Sequence, residues 1–170
     1  MRLEFIGLLV LLSFAILLPK QTEALGIGGS FGADLPLAHT SGSKNEVGIS
    51  AEGFYRVDPW EVRFHYGDQG VDTYSVVLGV KHFFTQSVIR PYVEGALGPV
   101  IVNSPRKSNL AYGVKPEVTL GVDIGMNAWL STSVQARYFG LAYFGSTDSG
   151  KFEANHGFTL NGSLIFWFDI

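Results

Sequence analysis

Eight stretches of this chain alternate apolar and polar residues with a period of two, the pattern of strands that have one greasy and one polar face. The last stretch is the clearest. Phe158, Leu160, Gly162, Leu164, Phe166, Phe168 and Ile170 share one parity, against Thr159, Asn161, Ser163, Ile165, Trp167 and Asp169 on the other. The sixth sets Val118, Leu120, Val122, Ile124 and Met126 against Glu117, Thr119, Gly121, Asp123 and Gly125. The third sets Trp60, Val62, Phe64 and Tyr66 against Glu61, Arg63 and His65; the second sets Val47, Ile49, Ala51 and Tyr55 against Ser50, Glu52, Phe54 and Arg56. The remaining stretches fall near 25–34, 72–84, 90–102 and 130–143.

The connections alternate in length. Short ones fall at 57–59, 85–88 and 127–129, and longer, more polar ones at 35–45, 67–71, 103–113 and 144–155. Tight turns therefore collect at one end of the sheet and long loops at the other, as in barrels with short periplasmic turns and longer outside loops. Each stretch is long enough to cross a hydrocarbon core, which takes a tilted strand about 9–11 residues. A sheet edge in lipid leaves N–H and C=O groups unpaired at several kcal/mol each, so the sheet must close. The pattern predicts an all-β protein: an eight-stranded antiparallel up-and-down transmembrane β-barrel. An even strand number puts both termini at the short-turn end.

The N-terminus adds an address. Arg2 precedes an apolar run over 6–18, Pro19 breaks it, and Thr22-Glu23-Ala24 offers small residues for cleavage. This is the pattern of a secretory signal peptide over 1–24, with the barrel domain over 25–170. The run is too short for a spanning helix, which needs about 20 apolar residues. Losing it removes two acids and two bases, so the net charge stays at −3 and offers nothing to nucleic acid. The chain has no Cys, so an exported fold relies on pairing and packing without disulfides.

With the apolar parity facing lipid, the other parity fills the barrel. That inward set contains Glu52, Arg56, Glu61, Arg63, Lys81, Glu94, Lys115, Glu117, Asp123 and Arg137, five acids and five bases. Charges in a narrow interior are tolerable when paired and hydrogen-bonded, so the balance predicts an ion-pair network plugging the lumen. His65 joins it by parity. Aromatics gather at strand ends as two interface belts: Tyr55, Trp60, Phe84, Trp129, Phe166 and Phe168 near the short turns, and Tyr66, Tyr74, Tyr143 and Phe158 near the long loops.

Three stretches carry a family resemblance: Arg90-Pro91-Tyr92-Val93-Glu94-Gly95-Ala96-Leu97-Gly98, the segment 130–143 with Gln135-Ala136-Arg137-Tyr138 at its centre, and the C-terminal 162–170. In these the chain resembles the small outer-membrane β-barrel superfamily that includes the OmpA transmembrane domain and OmpX. The resemblance implies a bacterial outer-membrane location. It also implies that Leu164, Phe166, Phe168 and Ile170 form the C-terminal signal read by the barrel-assembly machinery, although this chain ends in Ile where family members usually end in Phe or Trp. Loose motifs of this kind carry fold further than function.

Some barrels of this architecture are lipid A deacylases with a His-x-Ser pair and a Glu on neighbouring strands. Here His39-Thr40-Ser41 lies in a polar loop, while His65, His82 and His156 are followed by other residues. A serine nucleophile needs a base within reach and a third group to orient it, so no catalytic residues are expected. No His or carboxylate string has metal-ligand spacing, and Gly26-Ile27-Gly28-Gly29 opens no helix to cradle phosphate, so neither metal nor cofactor is expected. Arg106 and Lys107, with Tyr112, offer a basic outer rim for lipopolysaccharide phosphates. The expected role is structural or interactive in the envelope, as a monomer among lipids. The alternatives are a barrel that passes or holds a small apolar molecule, motivated by inward Phe54, Val77, Phe83, Val100, Phe139 and Leu141, and a lipid A-modifying enzyme.

Overall fold

The computed structural model describes residues 24–38, 47–68, 72–104, 109–144 and 152–169. Eight strands follow one another: β1 (Ala24–Ala38), β2 (Gly48–Val57), β3 (Trp60–Asp68), β4 (Asp72–Phe83), β5 (Ile89–Ser104), β6 (Asn109–Gly125), β7 (Leu130–Phe144) and β8 (Phe152–Asp169). Each pairs antiparallel with the next, and β1 pairs with β8 from Ala24↔Asp169 to Ala38↔His156, closing the sheet into a barrel. No strand edge is left open, as the physics of lipid demands. The expected signal segment lies outside the described residues except for Ala24, which begins β1.

Residues directly opposite on an antiparallel pair share a face, so the register carries the inward parity from strand to strand. Arg56 stands opposite Glu61, Phe54 opposite Arg63, and Glu52 opposite His65. Lys81 stands opposite Glu94, and Thr119 opposite Arg137. Burial alternates accordingly. Phe31, Ile49, Leu97, Leu120, Val134 and Leu160 expose half or more of their surface on the outer wall, while the charged parity is closed off inside.

Glycine makes room where a large inward side chain leans on a neighbouring strand. A Cβ on Gly121 would strike the Tyr92 ring, which instead lies over β6 and donates to Gln135 on β7 (2.7 Å). A Cβ on Gly98 would run into the Val76 carbonyl and, at 2.7 Å, the Val77 Cα. Backbone cannot move aside as a side-chain tip can, so only glycine fits. Beside it Pro99 has no N–H to give, and the β4–β5 ladder resumes only at Ser75↔Val100 and Leu78↔Leu97.

Two expectations change. The stretches 103–113 and 144–155, expected as loops, are ladder at their described ends: Asn103 pairs with Leu110, Tyr112 with Phe144, and Tyr143 with Glu153. Backbone N–H and C=O groups must be satisfied whatever the side chains beside them. The wall therefore continues past the point where its apolar alternation fades. Tyr143, expected in the belt near the long loops, points inward and is 8% exposed, because it shares the parity of Arg137, Phe139 and Leu141. Position near a strand end does not override parity. The other belt residues with exposed rings include Tyr55, Phe84 and Trp129 at the short-turn end and Tyr66, Tyr74 and Phe158 at the other.

Candidate functional site

All ten charged residues expected inside are buried, none more than 7% exposed. Nearest the short turns, Arg56 of β2 grips Glu61 of β3 through Nε and Nη2 (2.8 Å each) and reaches across the bore to Asp123 of β6 (2.5 Å). Lys81 of β4 sits 2.9 Å from Glu61 and 3.4 Å from Glu94 of β5, with its ammonium 4.3 Å from the centre of the Tyr92 ring. A cation over an aromatic face keeps attraction where water has been excluded.

One layer further in, Arg63 of β3 is the hub. Its Nη1 donates to Glu61 (2.8 Å) and Glu94 (3.0 Å), its Nη2 to Glu117 of β6 (2.5 Å), and its Nε lies 3.9 Å from Glu52 of β2. The five donors of a guanidinium make such a junction possible where a single ammonium would not. Arg137 of β7 takes Glu52 in a two-pronged grip and passes within 3.5 Å of Glu117, which Lys115 also holds at 2.9 Å. Glu52 further accepts from Ser30 (2.8 Å) and from His65 Nδ1 (3.0 Å). Acids and bases thus alternate across the bore from β2 to β7. Each is the partner that makes its neighbour's burial tolerable.

The inward apolar residues separate into two caps. Towards the long loops, Val100, Val102, Ala111, Phe139, Leu141 and Tyr143 form one cluster on β5–β7. Towards the short turns, Arg90 lies over the Phe83 ring (4.7 Å) and near Trp167 (5.8 Å), and reaches Asp58 (3.4 Å) and Asp123 (3.6 Å). Arg90, Asp58, Ser30, Tyr92 and Asp34 were not among the residues picked out from sequence. The inward parity of Ser30, Asp34, Arg90 and Tyr92 was the signal that could have found them.

Asp58 lies in the β2–β3 turn, outside the strands. Burial pushes its carboxyl above the usual carboxylate range, against the pull of Arg56 and Arg90. A raised native value contributes stability that is full below the unfolded pKa and is lost as pH rises through the native one. Asp58→Asn is therefore expected to gain heat stability over wild type on going from pH 4 to pH 8, read as paired unfolding temperatures in detergent. A gap that narrows instead would mean that the Arg90 pair outweighs the burial.

The other two described histidines, His82 and His156, are not brought to the lumen network. His82 faces outward and meets the Phe84 ring edge-on (5.4 Å). His156 is half-buried beside Tyr138 (Nδ1 to the phenol oxygen, 3.3 Å). His39, Arg106 and Lys107 lie outside the described residues, and Tyr112 is an exposed residue of β6. Leu164, Phe166 and Phe168 form an outward row on β8, each between 43% and 51% exposed, while Ile170 lies outside the described residues.

No family model matches the chain, and no curated protein matches it. Solved structures do match. The crystal structure of Neisserial surface protein A (NspA) aligns at a TM-score of 0.61 with 14% identity, over 86% of this chain and 98% of that one. The crystal structure of the N-terminal β-barrel domain of OprF from Pseudomonas aeruginosa aligns at 0.50 with 13% identity, over 88% of this chain and all of that one. At these identities the likeness is one of fold.

Proposed function

We propose that this chain, which has the fold of the small eight-stranded outer-membrane barrels, is a structural or interaction protein of the bacterial envelope whose lumen is plugged by ion pairs. The observation that carries this reading is the lattice of paired charges joining β2, β3, β4, β5, β6 and β7 across the bore. An ion entering that bore would have to displace a partner from a fully desolvated pair, leaving a buried charge uncompensated. The outer wall supports the membrane setting: its exposed large apolar residues form a continuous band, far beyond what a soluble monomer carries. In this reading the chain is exported with its signal peptide removed. The barrel-assembly machinery reads the row Leu164, Phe166, Phe168 and Ile170, and the folded monomer sits among lipid and lipopolysaccharide.

The test is electrical. Purified protein refolded into planar lipid bilayers is expected to give no steady conductance at either polarity. Stable, protein-dependent single-channel steps of large amplitude would overturn the plug.

A further inference from the structure

The outer wall of a closed cylinder is convex, but one part of this wall is hollowed. Two open troughs, of about 510 and 550 Å³, meet at Val134 of β7, which lines both. Side-chain size makes them. The outward residues Thr132, Val134 and Ala136 of β7 are short, while Leu120 of β6 and Leu160 of β8 stand on either side of Ala136, and Leu164 of β8 stands beside Thr132. Next to Val134 on β8 comes Gly162, and next to that Phe31 of β1. Long side chains thus form the banks and short ones the floor. A Cβ on Gly162 would meet nothing within 4 Å, so no neighbouring side chain fills the hollow there.

Place, chemistry and shape together narrow the occupant. Phe84 and Pro91 line one trough at the short-turn end of the wall, and Ile27 and Phe166 line the other. From there the troughs climb to Leu160 and Phe31, near the middle of strands 18 and 15 residues long. Each therefore covers the depth of one leaflet, half of a hydrocarbon core about 30 Å thick. No described charged side chain lines either trough. The Thr132 hydroxyl donates to the Ser163 carbonyl (2.9 Å), so its proton is already committed. The surface on offer is hydrocarbon. A second barrel would bring another convex wall, which rests on the banks and leaves the floor bare. A floor without partner atoms forfeits its dispersion contacts, so the hollow favours something thin and flexible.

We infer that this hollow seats one acyl chain of a phospholipid from the leaflet on the short-turn side. The hollow is continuous with the lipid-facing wall, so the chain enters it directly from the bilayer. Lying between Leu120 and Leu160 over Val134 and Ala136, the chain touches protein on three sides, where a chain against the convex wall touches it on one. The troughs stop at mid-wall, so a chain descending from the long-loop rim reaches only their far end. That favours phospholipid over lipopolysaccharide. The inference rests on the outer wall's contact with lipid and is independent of the plug.

The experiment refolds the full barrel into vesicles of phosphatidylethanolamine and phosphatidylglycerol, transfers it to mild detergent and weighs it by native mass spectrometry. Wild type is expected to keep one phospholipid per chain. Val134→Phe, which raises the floor where the troughs meet, and Gly162→Leu, which fills the gap beside it, are each expected to lose that lipid. Val118→Phe, on the same outer wall but outside both troughs, is expected to keep it. The gel shift between folded and boiled samples checks that each variant folds. Wild type that holds no phospholipid would overturn the inference without any variant, and so would equal retention in all four proteins. A dimer that Gly162→Leu dissolves would give the hollow to a second copy. In vesicles that also carry lipopolysaccharide, an adduct of that mass lost in Gly162→Leu would give it to the other leaflet. Either result would overturn the inference, and none of them bears on the conductance test of the plug.

Discussion

Arg63→Ala is expected to cost the barrel about 3–5 kcal/mol, the penalty for taking one partner out of a buried charge assembly. The size follows from what Arg63 holds apart. Glu52, Glu61, Glu94 and Glu117 come from three other positions on β2, β5 and β6 and one on β3 itself, and all four face the same guanidinium. Without it, Lys81 still bridges Glu61 and Glu94 and Arg137 still bridges Glu52 and Glu117, but the one cation that all four carboxylates face is gone. Arg63→Lys retains the charge and loses the fork, so it is expected to fall between alanine and wild type. Glu117→Ala, which frees one prong of Arg63 and the ammonium of Lys115, is expected to be milder. The measurement is the unfolding temperature of refolded protein in detergent, followed by the gel shift between folded and boiled samples. An Arg63→Ala barrel as heat-stable as wild type would remove the lattice from any account of stability.

The second large effect comes from the other face. Leu120 lies near the middle of the crossing of β6, is 62% exposed on the outer wall, and directly follows the fully buried Thr119. Leu120→Arg is expected to cost about 2–4 kcal/mol, the range for an arginine held at the bilayer midplane. Leu120→Phe, which keeps the surface apolar, is expected to change stability little. Denaturant titration of refolding into lipid vesicles measures both. The contrast is informative because arginine is well accommodated on the opposite parity of neighbouring strands, at Arg137 opposite Thr119. An arginine tolerated at 120 would mean that this wall does not face acyl chains.

Much of this architecture was readable in the chain. Alternation picked out the second, third, sixth and eighth strands and the face of the residues named in them, because a half-buried strand has no other way to separate lipid from lumen. It did worse at the strand tops. There Pro99, Gly113 and the polar residues before Phe158 interrupt the apolar signal while the backbone goes on pairing, so the last turns of ladder were read as loop. Parity also gave the membership of the charged interior, but not its wiring. Arg56 meets Asp123 across 67 positions of sequence and Arg137 meets Glu52 across 85, contacts set by how the cylinder curls and not by spacing.

The seam between β1 and β8 has a consequence for how the molecule is made. Its partners are the first and last strands of the chain, matched from Ala24 with Asp169 onward, and so are the most distant in sequence of any pairing in the wall. Bringing such remote segments together is entropically slow, and nothing is gained until the ends meet. While β8 is still being delivered, the half-built sheet carries two raw margins and an uncovered greasy flank, a species prone to clumping in water. Seven of the eight ladders join strands that are consecutive in sequence, whereas the β1–β8 seam has to wait for β8. The cylinder has to be finished in one late step, and losing the final strand would strip two ladders at once, leaving seven staves that cannot hold themselves shut.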